Sequence, residues 1–138
     1  MNRKKILFVT TRSPFSSVFS GDRQRSKSII DELNKKNNLE VLYSDTLRNK
    51  GNTKIKNFFF ERNLLDSLKA ILICLIKFKP LQLGYFYSKK IDIFIKANHE
   101  KYDTIIFHLI RAAQYLPKDF MGKRILEMTD LMSKNYDQ

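Results

Sequence analysis

The sequence predicts an α/β fold, a Rossmann-like doubly wound, mainly parallel sheet with helices on both faces, on three observations. Residues 5–11 form an unbroken apolar run with β-branched members, the pattern of a strand buried on both faces. A serine- and proline-containing loop with Gly21 follows, and then apolar residues at helical spacing. Strand-like and helix-like segments continue to alternate along the chain, which calls for right-handed crossovers between parallel strands.

After the first strand and the loop at 12–22, Ile29, Ile30 and Leu33 share one face of a helix over 23–36. A turn at Asn37 and Asn38 leads to a second strand, where Leu39, Val41 and Tyr43 alternate with Glu40 and Leu42; the alternation predicts a less buried strand. Residues 44–62 are polar and basic until Phe58, Phe59 and Phe60, and read as a long mobile connection. Asn63 is placed to cap a helix over 64–78, apolar except for a narrow stripe of Asp66, Lys69 and Lys77, and Pro80 stops it. Ser88 caps the next helix, 89–100, with Ile91, Phe94 and Ile95 inward. A strand at 104–108, a short helix at 111–116, a fourth strand at 124–128 and a helical turn capped at Thr129 or Asp130 complete the order.

With 138 residues, 43% of them hydrophobic, the chain can fill one core, so disorder and low-complexity architectures are excluded and a single domain over 1–138 is expected. Cys74 stands alone in an apolar run, which fits a buried residue in a reducing cytosol. The apolar run near the amino terminus is too short for an export signal, and the longest greasy stretch is interrupted by charges, so the expected location is cytoplasmic. Twenty-six basic against fourteen acidic residues give +12. Such a balance fits a polyanionic partner, or simply a lysine-rich surface.

In doubly wound sheets ligands sit beyond the carboxyl ends of the strands. That edge gathers Gly21, Arg23 and Arg25 at a helix start, suited to an anion; His108 and Arg111 after a later strand, suited to proton transfer or a hydroxyl-rich substrate; and Asp130, with Ser133 and Tyr136 at helical spacing from it. His108 is the candidate catalytic residue. Gly21, Arg23, Arg25, Arg111 and Asp130 are the candidate binding residues. Neither histidine has metal-ligand spacing to a cysteine or carboxylate cluster.

At these residues the sequence resembles the amino-terminal domain of GT-B fold, GT4-like bacterial glycosyltransferases of surface polysaccharide biosynthesis. Residues 6–15 followed by Ser20-Gly21-Asp22-Arg23-Gln24-Arg25 are similar to the family's first strand, proline loop and G-G-x-R-x-R-like turn, with Asp22 in place of the second glycine. Residues 80–88, then Tyr102-Asp103, His108, Arg111 and Tyr115-Leu116, resemble its middle section, and 124–136 resembles its I-L-D-x-x-D-x-x-S-x-x-Y run, with Glu127 at an acidic position. The resemblance implies sugar transfer from a nucleotide-sugar donor to a glycan or lipid-linked acceptor, with no obligatory metal and no cofactor beyond that donor. It also implies a carboxy-terminal, donor-binding domain that these 138 residues do not contain, so that this chain is the acceptor-side half and a separate carboxy-terminal half is a possible partner. Acceptors of this kind further suggest peripheral contact of the 64–79 segment with the inner face of the plasma membrane, helped by Lys54, Lys56, Arg62, Lys77 and Lys79; the stronger alternative is that this wide apolar face turns inward to cover the sheet.

Two other functional classes compete. A nucleic-acid-binding module would use the +8 carried by residues 48–101, with Phe58 to Phe60 stacking on bases, but the basic residues are dispersed and no known nucleic-acid motif is present, so nucleic acid ranks lower. A non-catalytic nucleotide-binding domain would hold a free nucleotide tightly by itself.

Overall fold

The computed structural model describes residues 2–128; the turn expected around Asp130, Ser133 and Tyr136 lies outside them. Five strands, β1 (Lys5–Thr10), β2 (Asn38–Asp45), β3 (Asn57–Glu61), β4 (Thr104–His108) and β5 (Lys123–Glu127), form one sheet in the order β3-β2-β1-β4-β5. Every pairing is parallel, with Ile6 beside both Leu39 and Thr104, so the fold is the Rossmann-like doubly wound α/β architecture. The strand order reverses direction between β1 and β4. In sheets of this kind ligands bind near such a reversal, beyond the strands' carboxyl ends.

Helix α1 (Gly21–Lys36) covers one face, placing Ile30 against Phe8, Val41 and Tyr43. On the other face α4 (Lys89–Asn98) and α5 (Ile110–Ala113) bury Ile91, Ile95 and Ala112 against Leu7, Val9, Ile105 and Phe107. Ser88 caps α4 by accepting from the Ile91 amide, and Tyr115 fastens the entrance to α4 by accepting from the Ser88 amide and donating to the Phe86 carbonyl. Leu109, between β4 and α5, has φ 68° and ψ 158°, backbone that only glycine adopts readily, and the strain lies at the sheet's carboxyl edge beside His108.

Three sequence-based expectations are corrected. The segment 44–62 is not a mobile connection: it contains the end of β2, a 3-10 turn at Leu47–Asn49 and β3, a strand beyond the four expected. The three phenylalanines hide the strand because all are apolar, yet they serve both faces: Phe58 and Phe60 pack on Phe94, and Phe59 on Tyr43. Bound into the two cores in this way, they form no exposed stacking platform for bases. Pairing with β3 also makes β2 an interior strand, buried from Leu39 to Asp45 rather than half-exposed.

The third correction concerns α2 (Leu64–Ile76). Asn63 caps it as expected, accepting from the Leu65 amide. Its inward face, however, is the small one. Ser67 and Cys74 are buried, whereas Leu64, Leu65, Leu68, Leu72, Ile73, Leu75 and Ile76 are all more than half exposed. The close packing of α3 (Leu81–Tyr85) explains the choice of face: a Cβ at Gly84 would stand 2.8 Å from the Ala70 carbonyl group, so only small residues fit between the two helices. The apolar side of α2 therefore covers no sheet; it faces outward.

Candidate functional site

The carboxyl edge is organised by the last residue of β2. Asp45 is 1% exposed, and its Oδ2 accepts from the Ser13 amide at 2.9 Å and from Arg23 Nη2 at 2.8 Å. Its Oδ1 accepts from the Thr46 amide at 2.8 Å, Asn49 Nδ2 at 3.0 Å and Arg62 Nη2 at 3.4 Å. One carboxylate thus ties the loop after β1, the first turn of α1 and the residue after β3 to the end of β2.

A second carboxylate, Asp22, holds Arg111 from α5 at 2.7 Å and Arg12 from the loop after β1 at 3.3 Å, while accepting from the Ser20 hydroxyl at 2.6 Å and the Arg23 amide at 3.0 Å. Burial pushes its carboxyl up, but the Ser20 hydrogen bond and the charges of Arg12 and Arg111 outweigh burial and hold it below its ordinary value. Asp22 thereby puts its own anion on the α1 amino terminus, where the sequence suggests an anionic ligand. Gly21 has open space where a Cβ would go, so packing does not require glycine there.

Three guanidiniums lie against one buried ring, Phe86, with Arg111 at 4.3 Å, Arg62 at 5.0 Å and Arg12 at 5.4 Å from its centroid. Together with Arg23 they make four positive charges facing the two carboxylates, an excess of +2. Burial and the crowding of Arg12 lower the Arg111 guanidinium's proton affinity, against the pull of Asp22. Several buried donors have no partner among the described residues: Nε and Nη1 of Arg23, Nε of Arg62 and Nε of Arg111.

Behind this cluster His108, 1% exposed, stacks on Phe8 and hydrogen-bonds through Nδ1 to Glu127 Oε2 at 2.6 Å. The two residues are direct partners in the β4–β5 register. Burial pushes the imidazole down and Glu127 offsets it only in part, so near neutral pH the ring is uncharged, donates from Nδ1 and leaves Nε2 with a free lone pair.

Of the residues singled out in the sequence, Arg23 and Arg111 join the arginine cluster, and Gly21 opens α1 beside it. Arg25 turns away to Glu127 at 2.8 Å, tying α1 to β5, and is half exposed. Asp130 lies outside the described residues. Sequence reasoning missed Arg12, Asp45, Arg62, Phe86 and Glu127. Asp45 and Glu127 are the final residues of their strands and Arg62 immediately follows one, so strand ends were the available signal, obscured for Asp45 and Arg62 by the unrecognised β3.

An open pocket of about 390 Å³ lies over the cluster, lined by Arg12, Arg23, Asp45, Asn49, Arg62 and Tyr85, with the exposed Phe19 on its rim. No family model and no curated protein matches the chain.

Proposed function

We propose that this chain is the acceptor-side, amino-terminal domain of a GT-B, GT4-like glycosyltransferase, which transfers a sugar from a nucleotide-sugar donor to a glycan or lipid-linked acceptor. One observation carries the reading. The three segments that resemble the family, far apart in sequence, meet side chain to side chain at one sheet edge: Asp22 of the first holds Arg111 of the second, 89 positions on, and Arg25 of the first holds Glu127 of the last, 102 positions on.

In this reading the arginine edge receives the phosphate-bearing part of a substrate, and His108 is the group that handles the acceptor's proton. Glu127 fixes its ring as the Nδ1–H tautomer, which leaves the lone pair of Nε2, buried behind the arginine cluster, for a hydroxyl that enters the edge. A separate donor-binding half closes over the edge from the solvent side. The test is transfer of labelled sugar from a panel of nucleotide sugars to a membrane extract, with this chain alone, with a donor-binding half added, and with a longer protein containing both. Transfer by the longer protein or the mixture, abolished by Arg111→Gln in a folded variant, supports the reading. Absence of transfer from every donor, together with tight binding of free UDP or GDP by this chain alone, selects the non-catalytic nucleotide-binding domain.

The outward face of α2 favours a peripheral membrane as the place where the acceptor is met. Leucines and isoleucines cover that face, Lys69 stands among them, Lys77 and Lys79 follow, and Phe78 is 97% exposed. An interfacial helix combines these features, each basic residue near an anionic surface adding about 1 kcal/mol. No helix among the described residues is long and apolar enough to cross a membrane. Co-sedimentation with anionic but not neutral vesicles, reduced by Leu72→Ser/Ile76→Ser, is the expected result; equal recovery in the soluble fraction with both vesicle types would refute membrane contact.

A further inference from the structure

We propose that the pocket bounded by Arg12, Arg23 and Arg62 is a binding site for a phosphate group, held by guanidinium donors that the fold itself leaves idle. Arg23 is 8% exposed and the Arg62 side chain likewise, so both charges have been taken largely out of water. Burying a guanidinium is costly unless its donors are satisfied. Asp45 satisfies only one Nη2 of each, and Nε and Nη1 of Arg23 and Nε of Arg62 have no acceptor among the described residues.

Asp45 cannot supply more, because its two oxygens already accept five hydrogen bonds. Arg23 and Arg62 face this single carboxylate, and Arg12, which shares Asp22 with Arg111, stands at the pocket wall, so four guanidiniums against two carboxylates leave +2 around it. A tetrahedral anion of charge near −2 balances that excess and offers the acceptor oxygens that the planar forks are shaped to meet in pairs. Arg12, whose side chain is 37% exposed, stands where it can complete the grip from the solvent side. A carboxylate would neutralise only half of the excess. Tyr85 and Phe19 give the same pocket an aromatic flank, so the phosphate is an ester whose remaining part lies against these rings.

The ester has two possible sources, a soluble sugar or nucleotide phosphate and a lipid phosphate. The second is within reach because Arg62 directly precedes Asn63, the cap of outward-facing α2, and Tyr85 ends α3. The site stands on the pocket and not on the transferase reading, and the test contains no transfer step. Calorimetric titration at constant ionic strength uses pyrophosphate and UDP as soluble probes, and co-sedimentation uses vesicles of phosphatidylcholine with and without phosphatidic acid.

The Arg12→Gln variant removes a partly exposed donor and leaves both Asp45 pairs in place, and Lys35→Gln, at the far end of α1, removes equal charge elsewhere. The expected result is saturable binding of one equivalent of a soluble probe, weakened at least tenfold by Arg12→Gln and less than twofold by Lys35→Gln. Binding confined to phosphatidic acid vesicles, with the same dependence on Arg12, assigns the site to a lipid phosphate. Phenylglyoxal labelling of the unmodified chain gives a readout that needs no variant: the bound probe should protect Arg12 at least fivefold more than Arg48. Absence of binding in every arm, equal loss in the two variants, or equal labelling of Arg12 with and without probe overturns the proposal.

Discussion

Strand β2 carries a buried carboxylate near each end, and the two are neutralised in opposite ways. At the amino end Glu40, 3% exposed, accepts from Tyr102 Oη at 2.6 Å and from Lys56, with Lys5 at 3.9 Å. Its cations are wet: Lys56 is 64% exposed and Lys5 34%, so their remaining donors are served by water. At the carboxyl end the cations beside Asp45 are sealed in with their anion, and some of their donors go unused. Glu40 needs only to be neutralised for the fold to close, whereas the surroundings of Asp45 carry more positive charge than the fold can use. A surplus maintained at the cost of desolvation marks the end of the strand where a ligand is expected.

The largest effect should come from removing the shared anion. Asp45→Asn leaves two buried guanidiniums without a counter-charge and should cost about 3–5 kcal/mol in urea unfolding. Millimolar pyrophosphate should restore part of that loss, since an added anion takes over the missing role. A loss below about 1 kcal/mol would show that the arginines find water, and the contrast between the two ends would collapse.

Glu40→Gln should cost less, about 1–3 kcal/mol, because Lys5 and Lys56 rehydrate and only the bond to Tyr102 and the carboxylate's local pairing are lost. Pyrophosphate should restore nothing here. Measuring both variants with and without the anion separates a structural carboxylate from one embedded in a binding site.

Much of the frame was legible in the sequence. The first strand, the helices expected over 23–36 and 89–100 and found at 21–36 and 89–98, both side-chain caps and the edge that gathers Arg23 and Arg111 all follow from local patterns. What escaped depends on partners distant in sequence. Phe58 to Phe60 show no alternation because both faces of β3 are covered, and Glu40 imitates an exposed position because its partners, Lys56 and Tyr102, lie 16 and 62 residues away. His108 gave no sign of its carboxylate either, because Glu127 reaches it through the pairing of β4 with β5. For α2 local pattern misled outright: the greasy side was assigned inward, and Gly84 reverses it by admitting only small residues.

Acid should separate the two ends by the pH at which each begins to fail, a smaller effect than either substitution. Burial lowers His108 in the folded state, so as pH falls below about 6.5 the unfolded chain takes up a proton that the native ring resists, and stability declines from there toward the lowered value. Glu40 behaves as a lowered carboxyl: burial raises it, but the Lys56 and Tyr102 hydrogen bonds and the lysine charges prevail. Its contribution is complete above about pH 4.5 and is lost as pH falls through the lowered value, and Asp22 follows the same sign. Unfolding free energy measured from pH 8 to 3 should therefore fall in two stages. His108→Gln should remove the upper stage and Glu40→Gln should shrink the lower; a single stage beginning near pH 4.5 in the unmodified protein would mean that Glu127 compensates His108 fully.

The smallest effect on stability should come from Gly21→Ala, and it tests the carboxyl end from the ligand's side. A Cβ at Gly21 meets no atom within 4 Å, and alanine is favoured over glycine in a helix, so the variant should be unchanged or more stable by up to about 1 kcal/mol. A substrate that approaches the α1 amino terminus closely would meet that methyl group. Under the transferase reading the variant should therefore raise KM in the longer enzyme while its unfolding curve stays at or above the wild type. Pyrophosphate binding should stay within twofold, since Gly21 does not line the arginine pocket. Loss of pyrophosphate binding in Gly21→Ala would instead move the anion to the helix end and make Asp22, not Asp45, the carboxylate it sits beside.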